Sequence, residues 1–214
     1  MNEFNNEIKK DTTDSSGPNP MIASPEGALS FLFAIFALLM WYVSIDHSYN
    51  LATLMAIGFT WLILSIGALI ASLINIIRGS SRGNANLLVT ILLGFFPGVN
   101  TMISVLSGIA GTHYNPSMVG LMYIIGAIFV IGSAIPLLKK PFYIFLRTLS
   151  VGIGLLFVGW GDLANQDVLL AVGGWSLFIF ALLSFYYGLS VLYLALGGYL
   201  PQGRSLSEFW RERK

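Results

Sequence analysis

Long apolar segments alternate with short polar breaks from residue 27 onward. A helix needs about 20 apolar residues to cross roughly 30 Å of hydrocarbon, and each of these segments is long enough. The pattern predicts six membrane-spanning helices: Gly27 to Ile45, Leu51 to Ile77, Ala85 to Gly111, Ser117 to Leu138, Phe142 to Ala164 and Val168 to Gly197. Because the breaks are only a few residues long, neighbouring helices are expected to pack antiparallel in one bundle.

Composition indicates that lipid is the main solvent of this chain. Apolar residues make up 56% of its 214 residues and charged residues 10%, whereas soluble domains carry about 25% charged residues. The mean hydropathy is +0.77. We therefore predict an all-α integral membrane protein with a disordered tail at residues 1–25, a six-helix transmembrane domain at residues 26–200 and a second tail at residues 201–214. The long polar stretch before the first apolar segment argues against a signal peptide.

The distribution of basic residues predicts the orientation of the bundle. With six spans, all eleven Lys and Arg residues belong to one side of the membrane. The loops on the other side carry Asp46, Asp162 and Asp167 and no basic residue. The positive-inside rule therefore places both termini in the cytoplasm. The short tails favour a multi-pass protein of a prokaryotic cell membrane.

Charge and residue types exclude several kinds of function. A net charge of +1 leaves no basic stripe that would bind nucleic acid. The absence of cysteine excludes disulfides and thiol chemistry. The two histidines lie in separate loops, and the spans hold no paired acids and no Ser/His set. No catalytic residue, metal or cofactor is expected, and the protein is predicted not to be an enzyme.

Few side chains in or near the spans are ionisable. Arg147 lies about one turn into the fifth span and is interpreted as reaching back to the lipid headgroups. Glu26, at the start of the first span, either interacts with the helix macrodipole or lines the mouth of a path. Tyr123, near the start of the fourth span, is interpreted as an interfacial anchor. A path through these spans would have apolar and neutral polar walls, which suit small neutral or monovalent solutes.

The third span contains the most irregular segment, Gly94-Phe95-Phe96-Pro97-Gly98-Val99-Asn100-Thr101. Proline removes a backbone hydrogen bond and kinks a helix. Broken helices near the midplane often mark transport sites, although kinks without function are also common. Three residues of this span, Thr90, Phe96 and Asn100, are therefore candidates for lining a path.

Several short motifs between about residue 20 and residue 206 resemble those of one family of membrane proteins. Near the first span it reads Ser24-Pro25-Glu26-Gly27-Ala28-Leu29-Ser30, similar to the family signature N-P-A-P-L-G-L but with Ser24 in place of the asparagine. Further along it reads Gly161-Asp162-Leu163-Ala164-Asn165 and then Gly174-Trp175, which follow the family spacing. Its last matching segment reads Gly198-Tyr199-Leu200-Pro201-Gln202-Gly203, similar to the family's closing L-P-x-G. By these motifs the chain resembles the acetate uptake transporter family.

The resemblance implies a homo-hexamer in the lipid bilayer in which each protomer has its own path. That path would be pinched at mid-membrane by one residue each from the first, third and fifth spans. Counting from the motifs places these residues at Phe33, Leu93 and Val151, with Thr90 as the alternative position in the third span. In either register the family's tyrosine is missing from the third span.

The resemblance also implies the cargo and the entrance of the path. Ser24, Pro25 and Glu26 would form its cytoplasmic mouth. The implied function is transport of small monocarboxylates, acetate first and succinate next, as the protonated acid or together with a proton. A urea or short-amide channel is an alternative, because it would also have neutral walls. A membrane scaffold without a path is a third reading.

Overall fold

A computed structural model of the chain describes residues 24–46, 50–80, 83–201 and 203. Six helices in these ranges are long and apolar enough to cross a membrane. They are α1 (Glu26–Ile45), α2 (Leu51–Ile77), α3 (Gly83–Ile109), α4 (Ser117–Lys139), α5 (Phe142–Ala164) and α6 (Asp167–Ala195). The predicted all-helical class and the six spans are confirmed. Most of the two predicted tails lies outside the described residues.

The third helix changes its hydrogen-bonding pattern near its middle. It consists of an α-helix (Gly83–Thr90), a π-helical turn (Ile91–Phe95) and a second α-helix (Phe96–Ile109). The N–H of Phe96 donates to the carbonyl of Ile91, one residue further back than in an α-helix. Pro97 follows immediately and has no N–H to continue the regular ladder. The irregularity predicted around Pro97 is therefore present, as a π-helical turn just before it.

The six helices form a ring, which Leu92 of α3 closes by packing against Gly126 of α4. The most extensive contacts join α1 to α6, α5 to both α4 and α6, and α2 to both α3 and α1. The order around the ring is therefore α3, α2, α1, α6, α5 and α4. The outward surfaces are apolar, with Ile63 and Ile128 among the most exposed side chains. Apolar residues facing outward and small or apolar residues facing inward are typical of a bundle whose surroundings are lipid.

The ends of the helices define two faces of the bundle. The face at the start of α1, α3 and α5 carries Arg78, Lys139 and Lys140, and we call it the basic face. The opposite face carries Asp46 and Asp167 in the connections at its helix ends, and we call it the acidic face. Asp162, near the end of α5, belongs to the same half of the bundle. The other basic residues, apart from Arg147, lie outside the described ranges.

Two glycines allow α4 and α5 to cross at close range in the acidic-face half. A Cβ added to Gly120 would lie 2.5 Å from the carbonyl oxygen of Gly159, and a Cβ on Gly159 would lie 2.5 Å from the carbonyl oxygen of Gly120. Neither backbone can move away without separating the two helices. In lipid, where the hydrophobic effect does not hold helices together, such close backbone approach is a main source of packing energy.

Gly159→Ala is expected to destabilise the bundle by about 1–3 kcal/mol, the usual cost of adding a methyl group to a packed site. Thermal unfolding of the detergent-purified protein measures the effect as a lower transition temperature. Gly67→Ala in α2 is the control because the nearest heavy atom to its added Cβ, Cδ1 of Leu32, lies 3.8 Å away, an ordinary van der Waals distance. Equal transition temperatures for the two variants would contradict the assigned role of this crossing.

Candidate functional site

Two cavities lie inside the ring, one in each half of the bundle. Each has a volume of about 260 Å³. The basic-face cavity is lined by residues of α1, α3, α4, α5 and α6: Phe33, Ala85, Asn86, Val89, Phe129, Val130, Ser133, Leu137, Ile144, Arg147, Thr148, Val151 and Phe180. The acidic-face cavity is lined by residues of all six helices: Met40, Val43, Ser44, Leu54, Trp61, Pro97, Asn100, Thr101, Tyr123, Val158, Asp162 and Leu170. The two sets share no residue.

A thin layer of fully buried apolar side chains separates the two cavities. Phe33 and Met40 of α1 line different cavities, and so do Val151 and Val158 of α5. Each pair is seven residues apart, about 10 Å along a helix axis. Five helices contribute residues to both cavities. On each of them, one apolar side chain that is 0% exposed lies between the residues that line the two cavities: Phe36, Leu93, Ala127, Leu155 and Leu177. We call these five residues the apolar layer.

The layer is closed between α3 and α4 by a side chain that fits against a glycine. Leu92 belongs to the π-helical turn of α3, and a Cβ added to Gly126 of α4 would lie 2.4 Å from its Cδ1. On the other side of the same turn, a Cβ on Gly94 would lie 2.3 Å from Oγ of Ser65 in α2 and 3.2 Å from the ring of Phe36. The π-helical turn therefore places Leu93 in the layer and Leu92 beside it, and it packs Gly94 against α1 and α2.

Arg147 provides the positive charge of the basic-face cavity. Its Nε donates a hydrogen bond to Oγ of Ser184 at 2.8 Å. Its guanidinium carbon lies 4.8 Å from the ring centre of Tyr187 and 5.5 Å from that of Phe180, within cation–π range. The hydroxyl of Tyr187 in turn donates to Oε2 of Glu26 at 3.0 Å. The arginine is thus held by α6 at the edge of the cavity.

The interpretation of Arg147 from sequence was wrong. Its side chain turns into the bundle and lines a cavity, whereas the sequence suggested that it extends to the headgroups. The cavity wall therefore includes a cation, in addition to the apolar and neutral polar groups that were predicted. The signal in the sequence was the position of Arg147, more than one turn past Pro141, together with small or aromatic partners such as Ser184 on the next helix.

The acidic-face cavity combines a carboxylate with neutral polar groups. Asp162 shares its wall with Ser44, Asn100 and Thr101. Among the described residues, no hydrogen bond or ion pair reaches the Asp162 carboxylate. Tyr123, interpreted from sequence as an interfacial anchor, is 2% exposed and lines this cavity, so that interpretation was also wrong. A residue's distance from the span end did not indicate which way its side chain faces.

Tyr114, in the connection between α3 and α4, orients one wall residue of the acidic-face cavity. Its hydroxyl donates a hydrogen bond to Oδ1 of Asn100. Burial, together with the nearby negative charge of Asp162, raises the pKa of Tyr114 above its ordinary value. The phenol therefore keeps its proton at physiological pH and remains a donor. This bond leaves the amide NH₂ group of Asn100 as a donor for other partners.

The structure places the three predicted constriction residues close to one level of the bundle but in different environments. Phe33 and Val151 line the end of the basic-face cavity that adjoins the apolar layer, and both are 2% exposed. Leu93 is a member of the layer itself and lines neither cavity. Phe33 also contacts the layer directly, because its ring centre lies 6.5 Å from that of Phe36.

The remaining candidates are distributed over the molecule. Asn100 lines the acidic-face cavity. Thr90 is fully buried, donates to the carbonyl of Asn86 at 2.8 Å and lies 3.2 Å from Oγ of Ser72, so it joins α3 to α2. Phe96 packs against the core as a half-buried side chain. Neither Thr90 nor Phe96 lines either of the two cavities.

The three residues predicted to form a mouth lie at the start of α1 on the basic face. The N–H of Glu26 lies 3.5 Å from Oγ of Ser24, and Pro25 directly precedes the helix. The carboxylate of Glu26 accepts a hydrogen bond from Tyr187 of α6. None of the three lines the basic-face cavity. Glu26 nevertheless connects to that cavity through Tyr187, whose ring packs on Arg147.

Six long apolar helices in one bundle define a multi-pass α-helical membrane protein. Among solved structures, the chain is similar to that of the bacterial acetate channel SatP, with a TM-score of 0.68 and 19% sequence identity. The similarity covers 85% of this chain and 99% of that one, so the two share a fold. No family model matches this sequence, and no curated protein sequence matches it.

Proposed function

We propose that this protein is a membrane channel or transporter for small monocarboxylates, with acetate as the first cargo and succinate as a weaker one. The observation that carries the proposal is the pair of cavities in opposite halves of a bundle whose fold is shared with an acetate channel. The apolar layer, about 10 Å deep along α5, separates the two cavities. A small opening of that layer would join the two cavities.

The nature of the layer supports a cargo that crosses it without net charge. Phe36, Leu93, Ala127, Leu155 and Leu177 offer no hydrogen-bonding side chain. An isolated carboxylate would lose its hydration there with no compensating partner, which is far more costly than moving the neutral acid. Passage as the protonated acid, or together with a proton, follows from this difference. Each cavity, at about 260 Å³, accommodates a cargo of a few heavy atoms.

The test is uptake of labelled acetate and labelled urea into proteoliposomes at pH 5.5 and 7.5. We expect acetate uptake that rises at the lower pH, because carboxylic acids titrate near pH 4–5 and the neutral fraction there is about one hundredfold larger. Protein-free liposomes at each pH measure the acetic acid that crosses lipid directly. Only the difference between the two preparations counts as transport.

The same experiment separates the alternatives. Urea uptake without acetate uptake, equal at both pH values, would replace this proposal with a urea or short-amide channel, whose cargo would suit Ser44, Asn100 and Thr101. A scaffold without a path would give no uptake of either solute above the liposome background. Acetate uptake that does not depend on pH would contradict crossing as the neutral acid.

We also propose a homo-oligomer, by resemblance a hexamer, in a prokaryotic plasma membrane with the basic face in the cytoplasm. The positive-inside rule supports this orientation, since Arg78, Lys139 and Lys140 lie on the basic face. A small residue with an open surface, Gly132 of α4, supports close contact with another helix outside the protomer.

A further inference from the structure

We propose that the basic-face cavity contains a carboxylate-binding subsite in which the guanidinium of Arg147 receives the charged end of a small acid. The inference rests on the proposed function for the identity of the cargo, but its geometry is independent of transport. It assigns a role to a side chain whose position in the fifth span is otherwise costly. An arginine in a membrane span almost always faces the bundle interior or a water-filled cavity, and such a residue is a candidate for a functional role.

The first argument is the chemistry of the arginine. A guanidinium is planar and presents its N–H groups as a fork that matches the two oxygens of a carboxylate. The Ser184 hydroxyl accepts a hydrogen bond from Nε of Arg147, and the rings of Phe180 and Tyr187 lie next to the guanidinium. These contacts hold the group in one place at the cavity wall, so little side-chain entropy is lost when an anion binds.

The second argument is the distribution of charge and apolar surface within the cavity. Among the described residues that line it, Arg147 is the one with a charged side chain. Phe33, Val151 and Phe180 form an apolar wall in the same cavity. An acid with a carboxylate at one end and a short alkyl group at the other fits this arrangement. A second carboxylate turned toward this wall would be left unpaired, which is unfavourable. Only Asn86, Ser133 and Thr148 of the lining offer it neutral hydrogen-bonding groups.

The third argument is the contrast with the other cavity. There the ionisable wall residue is Asp162, whose carboxylate in its ionised form repels a carboxylate anion. The two cavities therefore differ in the form of cargo that they favour. An acid bound beside Asp162 is favoured in its neutral form, and an acid bound beside Arg147 is favoured as the anion. The subsite thus belongs to the basic-face cavity alone.

Saturation-transfer NMR on the full-length protein in detergent, with acetate and acetamide as probes at pH 7.5, tests the subsite. The two molecules have nearly the same shape, and only acetate is charged. We expect Arg147→Gln to weaken acetate binding by at least about tenfold, which is within the range for loss of a charge-assisted pair. Acetamide binding should stay within twofold of the original protein. Arg147→Lys should fall between, because it keeps the charge and loses the fork.

Arg78→Gln is the matched control, since it removes the same charge from the same face outside the cavity. It should leave both probes unchanged. The proposal is overturned if Arg147→Gln binds acetate as tightly as the original protein, or if it loses acetate and acetamide equally. If Arg147→Gln does not fold, Arg147→Lys and Ser184→Ala are measured in its place. The proposal is then overturned if both variants keep the original ratio of acetate affinity to acetamide affinity.

The outcome is separable from that of the uptake experiment. Arginine-dependent acetate binding without acetate uptake would leave the subsite in place and remove the transport function. Acetate uptake, together with acetate binding that Arg147→Gln does not change, would support the transport function and overturn the subsite.

Discussion

Val151→Phe is expected to reduce acetate uptake into proteoliposomes by at least about tenfold, equivalent to about 1.4 kcal/mol added to the barrier for passage. Val151 lines the basic-face cavity at the end that adjoins the apolar layer, together with Phe33 and Phe180. A phenyl ring at this position fills the narrow end of the cavity, which is where a cargo must enter the layer. The added ring has space on the cavity side, so the helices need not separate.

The control for this variant is Ile153→Phe, two residues further along α5. Ile153 is half-buried and lines neither cavity, so the same helix receives a phenyl ring outside the path. Transition temperatures measured in detergent establish that both variants are folded. Normal uptake by a folded Val151→Phe variant would remove this position from the path. An equal loss in both variants would mean that the effect comes from packing of α5.

Phe33→Ala is expected to have the opposite effect, a leak and a broader range of cargo. The Phe33 ring is 2% exposed and lies between the basic-face cavity and Phe36 of the apolar layer. Removing it extends the cavity into the layer and shortens the apolar barrier. Uptake of acids larger than acetate, such as butyrate or benzoate, should rise relative to acetate, and the dependence on pH should become weaker.

Phe31→Ala is the control for that experiment. Phe31 is two residues away on α1, packs edge-on against Phe185 of α6 with ring centres 5.0 Å apart, and lines neither cavity. Both variants lose a buried or half-buried ring and are expected to lose stability, typically about 3–5 kcal/mol for a fully buried phenylalanine. Only Phe33→Ala should change selectivity. Unchanged selectivity in that variant would exclude Phe33 from the constriction.

The fold was largely predictable because lipid imposes a simple rule on the chain. Each span must be long enough to cross the hydrocarbon and must satisfy its own backbone hydrogen bonds, so length and apolar character alone locate the helices. The predicted boundaries of α2 and α5 agree with the structure to the residue, and those of the other helices agree within two residues. The irregularity before Pro97 was also predictable, because proline cannot continue the ladder.

The site was predictable only where a motif supplied the register. Phe33 and Val151 were found by counting from Pro25 and Gly161, and the structure brings both to the wall of one cavity. Leu93 was placed by the same kind of count and lies in the layer instead. Thr90 and Phe96 were chosen for their polarity or position, and both pack against neighbouring helices. A single sequence has no information on which face of a uniformly apolar helix points inward.

The sequence by itself determined the membrane class, the six helices and the separation of basic and acidic ends, because these depend on properties that each segment has alone. The tertiary structure decided the two cavities, the apolar layer between them and the direction of Arg147 and Tyr123. Those features depend on which helices become neighbours. The partners of Arg147, for example, include Phe180, Ser184 and Tyr187, which are more than thirty residues away in the chain. Only packing brings such residues together, and it placed a charge expected at the headgroups in the wall of a cavity.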